Sequence, residues 1–204
     1  MSKPEEVAAA REAAKALFDW DESDPLPEKV TGIFRTLCDE TDRGAVLVAA
    51  ALLDEDLEDL LRAKCTKNVA VVKRAIDPLL KSSTAPLRSS WAKAALAYAL
   101  GLIAENLFLA LGDIRKLRNA FAHSTGPVSL SEATVRTIVN RLALHLRMAV
   151  RALTAFVADE VAEVKAVAPE SKIPPSLKPE RVTFIAATAL IHGELLKARS
   201  AAGA

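Results

Sequence analysis

The sequence is short of the residues from which β proteins and metal sites are built. Aromatic residues make up 4% of its 204 positions, glycine occurs seven times, and there are two cysteines and three histidines. So few glycines leave little material for the tight turns of a strand-rich fold. Cys38 and Cys65 form no Cys-x-x-Cys pair and have no histidine at ligand spacing, so reduced, buried thiols are expected rather than a zinc site. His123, His145 and His192 share no short metal spacing. There is also no P-loop, no GxGxxG and no GxSxG, so neither a metal nor a cofactor is expected. Charge of one sign is lacking too: 27 Lys and Arg against 26 Asp and Glu give a formal net charge of +1. That supplies no global field to attract nucleic acid or a membrane surface. The longest apolar runs, Ala45 to Leu53 and Ala94 to Ala104, end at Asp54 and Glu105, well short of the ~20 residues needed to span a bilayer. Glu5 and Glu6 stand where a signal peptide needs basic residues. A cytoplasmic protein is expected, with no membrane partner.

What is present is helix-forming material. Hydrophobic residues are 51% of the chain, carried by Ala, Leu and Val. Glu, Lys and Arg supply the polar faces. Ser2 and Glu5 make a capping box for a helix running to about Trp20, followed by a loop over Asp21 to Pro27. A helix from about Glu28 to Asp39 buries Val30, Ile33, Phe34 and Leu37. Thr41 and Asp42 can cap a long helix through about Ala63. Its first half, from Gly44 to Ala51, is apolar all round and reads as a central core helix. Its second half carries Asp54, Glu55, Asp56, Glu58 and Asp59, which read as a solvated face. A short helix over Val69 to Ile76 breaks at Asp77-Pro78, and helices follow over Arg88 to Leu100 and Glu105 to His123, with Gly101 as a left-handed stop. Ser131 opens a long helix reaching about Val164, and a last helix covers about Glu180 to Ala198 before a frayed small-residue tail. The expected fold is all-α, a bundle of about seven or eight helices. Residues 1–165 form the bundle domain, 166–179 a Pro-rich linker or strap, and 180–204 the C-terminal helix and tail.

The informative segment is Gly112-Asp113-Ile114-Arg115-Lys116-Leu117-Arg118-Asn119-Ala120-Phe121-Ala122-His123. At about 100° per residue, Ile114, Leu117 and Phe121 share one face. Arg115, Asn119 and His123 form a stripe on another, with Arg118 beside Arg115. Such a face suits a phosphate or another anion: Arg118 offers bidentate hydrogen bonds, Asn119 can orient its neighbours, and His123 is of the residue type that shuttles protons. The structural alternative is a polar helix face with Arg118 paired to a carboxylate such as Asp42. A second feature is the set Arg136, Asn140, Arg147 and Arg151, on one face of the long helix, with Glu132 as the single acid from Pro127 to Val157. Arg136, Arg147 and Arg151 make a possible basic surface for RNA or an acidic partner. Alternatively, they pair with the acids of Asp54 to Asp59. His145 and His192 have no catalytic constellation around them.

Arg118-Asn119-Ala120-Phe121-Ala122-His123 resembles the HEPN motif, Arg-x4-His near the end of a helix. A larger pattern comprises Glu40-Thr41-Asp42-Arg43-Gly44-Ala45, Ile76-Asp77-Pro78-Leu79-Leu80, Leu96 to Ile103 and Ile114 to His123. In this order and spacing it is similar to the mannitol operon repressor family over about residues 30–155. The resemblance implies a HEPN-like helical core, a tendency to form homodimers, and a role in transcriptional regulation. It also suggests Asp42, Arg43, Arg115 and Arg118 as anion- or partner-binding residues. No helix-turn-helix with a basic recognition helix is found, so specific DNA binding by the chain alone is not expected and a regulatory protein partner or RNA is. The alternative implied by the HEPN motif is a metal-independent ribonuclease, with Arg118, Asn119 and His123 as catalytic residues.

Overall fold

The computed structural model describes residues 32–33, 36–65, 68–82, 84–146 and 178–203, and among them every regular element is helical. The helix expected over Ser2 to Trp20, the part beyond Leu146 of the helix expected from Ser131 to about Val164, and most of the Pro-rich strap lie outside the described residues.

Helix α1, Asp42–Cys65, follows a helical turn over residues 36–39. Thr41 starts it by accepting the Gly44 amide on its hydroxyl at 3.0 Å, which satisfies one of the free N–H groups of the first turn. Next come α2, Val69–Val71, a π-helical turn over Val72–Ile76, and α3, Asp77–Lys81. The expected break at Asp77-Pro78 is therefore a change of helix type. Pro78 sits in the first turn of α3, where the missing N–H costs nothing. Helix α4, Ser90–Ala99, is capped by the Ser89 hydroxyl and is followed by Gly101 at φ 67°. Glycine takes that left-handed conformation without steric cost, as the sequence required. Helices α5, Glu105–His123, α6, Ala133–Leu146, and α7, Pro179–Gly203, complete the described chain. Helix α6 begins two residues after Ser131. The small residues after Ala198 are helical to Gly203.

The core gathers one face of α1, α4, α5 and α6 around α7. Helix α7 packs along α1 and α6, α5 packs against both α1 and α6, and α4 covers α1 and α5. Phe121, Leu117, Leu57, Leu60, Leu142 and Phe184 are all fully enclosed. The expected central helix is only half so: Ala45, Val46 and Ala49 are buried, but Leu47 and Ala51 face outward. Cys38 is buried, and burial pushes its thiol up to about 12 against the opposing charge of Arg181. Cys65 is exposed, because it falls at the end of α1 beyond the reach of the core. Among the described residues no helix is long and apolar enough to cross a membrane.

Candidate functional site

Helix α5 splits along its length into the two faces its period requires. Leu107, Ala110, Leu111, Ile114, Leu117 and Phe121 turn inward. Arg115, Arg118 and His123 turn outward and are exposed, and Asn119 is half-buried between the faces. Arg118 donates from Nη1 to Asn119 Oδ1 at 3.2 Å. Arg115 lies over Trp91 with its guanidinium carbon 5.6 Å from the ring centroid, within cation–π range. Both arginines line a groove of about 290 Å³ between α1, α4 and α5. Its walls are mainly aliphatic, with Leu47, Ala51, Leu57 and Ile114 beside Trp91, and Asp54 adds a carboxylate. Trp91 continues into an aromatic stack, 4.6 Å from Phe108, which in turn lies 4.8 Å from Tyr98. His123 closes α5 at its C-terminal end and is not part of the groove lining.

The remaining candidates lie in the scaffold. Asp42 accepts the Ser129 hydroxyl and the Leu130 amide, each at 2.9 Å, and pairs with Arg181 at 3.2 Å. Arg181 also donates to the carbonyls of Leu37 and Cys38 at 3.2 Å each, and to that of Glu40. The carboxylate of Asp42 therefore serves Arg181 and the turn before α6, where the sequence suggested Arg118. Arg43 donates to the carbonyls of Ser124 and Gly126 at 3.0 and 2.7 Å, fixing the chain just after His123. Arg136 is exposed and 3.9 Å from Glu180. Arg147 and Arg151 lie outside the described residues.

Of the acids from Asp54 to Asp59, Glu55 is exposed as expected, but the other four are engaged by basic side chains. Asp54 and Glu58 hold Lys93 of α4 at 2.9 and 3.2 Å, and Lys93 is only 2% exposed. Glu58 also binds Arg62 at 2.8 Å. Burial pushes the Glu58 carboxyl up, but hydrogen bonds from Arg62 and Lys93 outweigh it and hold the group below its ordinary range. Asp56 lies 2.6 Å from His192 Nδ1, and Asp59 is 2.8 Å from Arg199. Apart from Arg62, which lies one turn along α1 from Glu58, these partners come from α4 and α7, so local spacing could not supply them.

Sequence reasoning also missed Asp113. It is 1% exposed and receives two bonds from Arg141, both at 2.7 Å, one from Lys116 at 2.9 Å, and the approach of His145 at 3.4 Å. Burial pushes its carboxyl up, but the bonds from Arg141 and Lys116 hold it below the ordinary carboxylate range. The signal was available: Asp113 falls in register with Ala110, Ile114 and Leu117, and an acid at an apolar position implies a buried partner. For Trp91 nothing in the local pattern marked a groove. Among the described residues no three His, Cys, Asp or Glu side chains could hold a metal together.

The family model for the mannitol repressor matches residues 32–172. The chain belongs to that family. The match takes in α1 to α6, including the groove, and runs beyond the stretch on which the resemblance was read. Comparison with curated proteins finds no match. Among solved structures, a chain in the X-ray structure of the MtlR–HPr complex from Escherichia coli is similar, with 18% identity and a TM-score of 0.59. The alignment covers 81% of this chain and 97% of that one. At that identity the likeness speaks for the fold of this member of the family.

Proposed function

We propose that this mannitol repressor family member is a cytoplasmic transcriptional regulator that works through a protein partner rather than by reading DNA alone. The observation that carries the reading is that the similar solved chain was captured in a complex with HPr. The near-zero net charge and the engagement of Arg136 by Glu180 support it, since direct operator binding draws on a concentrated basic surface. The high Ala, Leu and Val content and the habit of HEPN-like proteins support a homodimer as the working unit, and light scattering should return about twice 21.8 kDa. Titration calorimetry of the full chain with the HPr of the same organism should show saturable binding. An operator fragment should bind only weakly in the absence of partner. Salt-dependent nanomolar binding to one operator by the chain alone contradicts the proposal.

A second reading rests on the common exposure of Arg118 and His123 with Asn119 between them on one helix. In it, His123 would remove the ribose 2′-OH proton and Arg118 would balance the charge at phosphorus. Cleavage of single-stranded RNA in EDTA, abolished by Arg118→Ala and by His123→Ala with the fold retained, is its test. Intact RNA after incubation with the wild-type chain removes it.

A further inference from the structure

Helix α5 carries a ridge that the core does not use. Glu105, Leu109, Gly112 and Lys116 follow one another at spacings of four, three and four, which keeps them on one side of a helix. That side lies opposite the buried stripe: Glu105, Leu109 and Lys116 are exposed, and Gly112 is partly buried. Leu109 is 41% exposed, and Tyr98 and Leu100 at the end of α4 are 41% and 50% exposed. Tyr98 stacks on Phe108, the neighbour of Leu109 in the chain. Gly112 makes a notch in the ridge. A β-carbon there would come within 3.2 Å of the Trp91 ring, so the indole forms its floor.

The exposed charges of α5 are polarised. Its one exposed acid, Glu105, is in the first turn, and Arg115, Lys116 and Arg118 are in the second half. Among the described residues Glu105, Arg115 and Arg118 are in no ion pair, whereas Arg62, Lys93, Arg141, Arg181 and Arg199 each hold a carboxylate. Lys116 reaches Asp113 with a side chain that stays 58% exposed.

Such a ridge is complementary to itself. Glu105 and Lys116, and likewise Leu109 and Gly112, lie symmetrically about the midpoint between Ala110 and Leu111. We propose that two copies of the chain associate through this ridge, α5 against α5 and antiparallel, about a twofold axis at that midpoint. Leu109 of each copy then faces the Gly112 notch of the other, about 2 Å along the helix from the twofold axis. Glu105 of each copy faces Lys116 and its neighbour Arg115, about 8 Å from that axis. The charges select the antiparallel sense, because a parallel pairing sets Glu105 on Glu105 and Arg115 on Arg115. The contact is isologous and closes at two copies. Tyr98 and Leu100 widen its apolar centre, and the charges form its rim. A uniformly acidic partner suits the ridge less well, since it would meet Glu105 with like charge. The inference rests on the homodimer reading above and names the surface by which the two copies meet.

Light scattering of the full chain over a concentration series tests it. Wild type should return about twice 21.8 kDa. Leu109→Asp, Glu105→Arg and Arg115→Glu should each raise the dimer dissociation constant at least about tenfold, because the symmetry makes every substitution act twice. Glu105→Arg combined with Arg115→Glu should recover most of that loss, which damage to the fold would not do. Lys116 stays unchanged in these variants because it serves Asp113. Circular dichroism should show the same helix content throughout, since all three substituted side chains are exposed. A wild-type mass near 21.8 kDa at high concentration removes the homodimer reading and this surface together. A wild-type dimer that tolerates Leu109→Asp and Glu105→Arg leaves the homodimer reading standing and overturns this surface. Single reversals that dissociate the dimer without recovery in the combination overturn the antiparallel pairing.

Discussion

Helices α7 and α5 draw on the same residue types and meet their surroundings differently. In α7, 13 of 25 residues are buried, almost without a break from Phe184 to Leu196. Helix α5 buries seven of 19 and turns Arg115, Arg118 and His123 outward. Ala186, Ala187, Ala189 and Gly193 let the neighbours of α7 approach closely on several sides. Two of its buried polar side chains find partners within the enclosure: Thr188 donates to the Phe184 carbonyl at 2.9 Å, and His192 Nδ1 lies against Asp56, while His192 Nε2 is buried without a partner among the described residues. In α5, long aliphatic side chains mark a single core stripe and the opposite side remains available for contacts. One helix holds the bundle together, and the other carries the candidate chemistry.

The largest effect expected from breaking this division lies in α7. Phe184→Ala should cost about 3–5 kcal/mol, through lost burial and the cavity left behind, measured by urea denaturation. A loss below about 1 kcal/mol would show that α7 is not a core helix. The joint between α5 and α6 comes next. Asp113→Asn should cost about 2 kcal/mol by weakening the hold on Arg141 and Lys116. Because the folded state holds the Asp113 carboxyl below its ordinary pKa, its stabilisation is complete above ~3.9 and is lost as pH falls through the depressed folded value. Wild type and variant should therefore differ in melting temperature by a constant amount from pH 7 down to about pH 5 and converge only below about pH 4. Convergence by pH 6 would contradict the assignment. The smallest effect belongs to the exposed side of α5. Arg118→Ala should change stability by less than about 0.5 kcal/mol, since Asp42 already has Arg181. A loss of several kcal/mol would return Arg118 to the scaffold.

The sequence made α5 legible because its period is clean: the inward set Ile114, Leu117 and Phe121 and the outward set Arg115, Arg118 and His123 follow from spacing alone. Gly101 and Thr41 were legible for a similar reason, since each residue type has one conformational use at a helix end. The run Gly44 to Ala51 misled, because small apolar residues all round are compatible with a buried helix and also with a groove wall, as Leu47 and Ala51 show. Helix α7 carries the same signature and is the one enclosed. The pairs Lys93–Asp54, His192–Asp56 and Arg181–Asp42 join residues 39, 136 and 139 positions apart. No periodicity records such distances. The groove was hidden for the same reason, being assembled from α1, α4 and α5.

The clamp made by Arg181 also sets a timetable for biosynthesis. Arg181 reaches back 144 residues to the carbonyl of Leu37, and α7 follows it into the centre of the bundle. At about 5–20 residues per second, the ribosome makes those two ends on the order of ten seconds apart. Until α7 is made, the apolar side of α1, and then those of α5 and α6 as each is completed, lack the helix that covers them in the folded bundle.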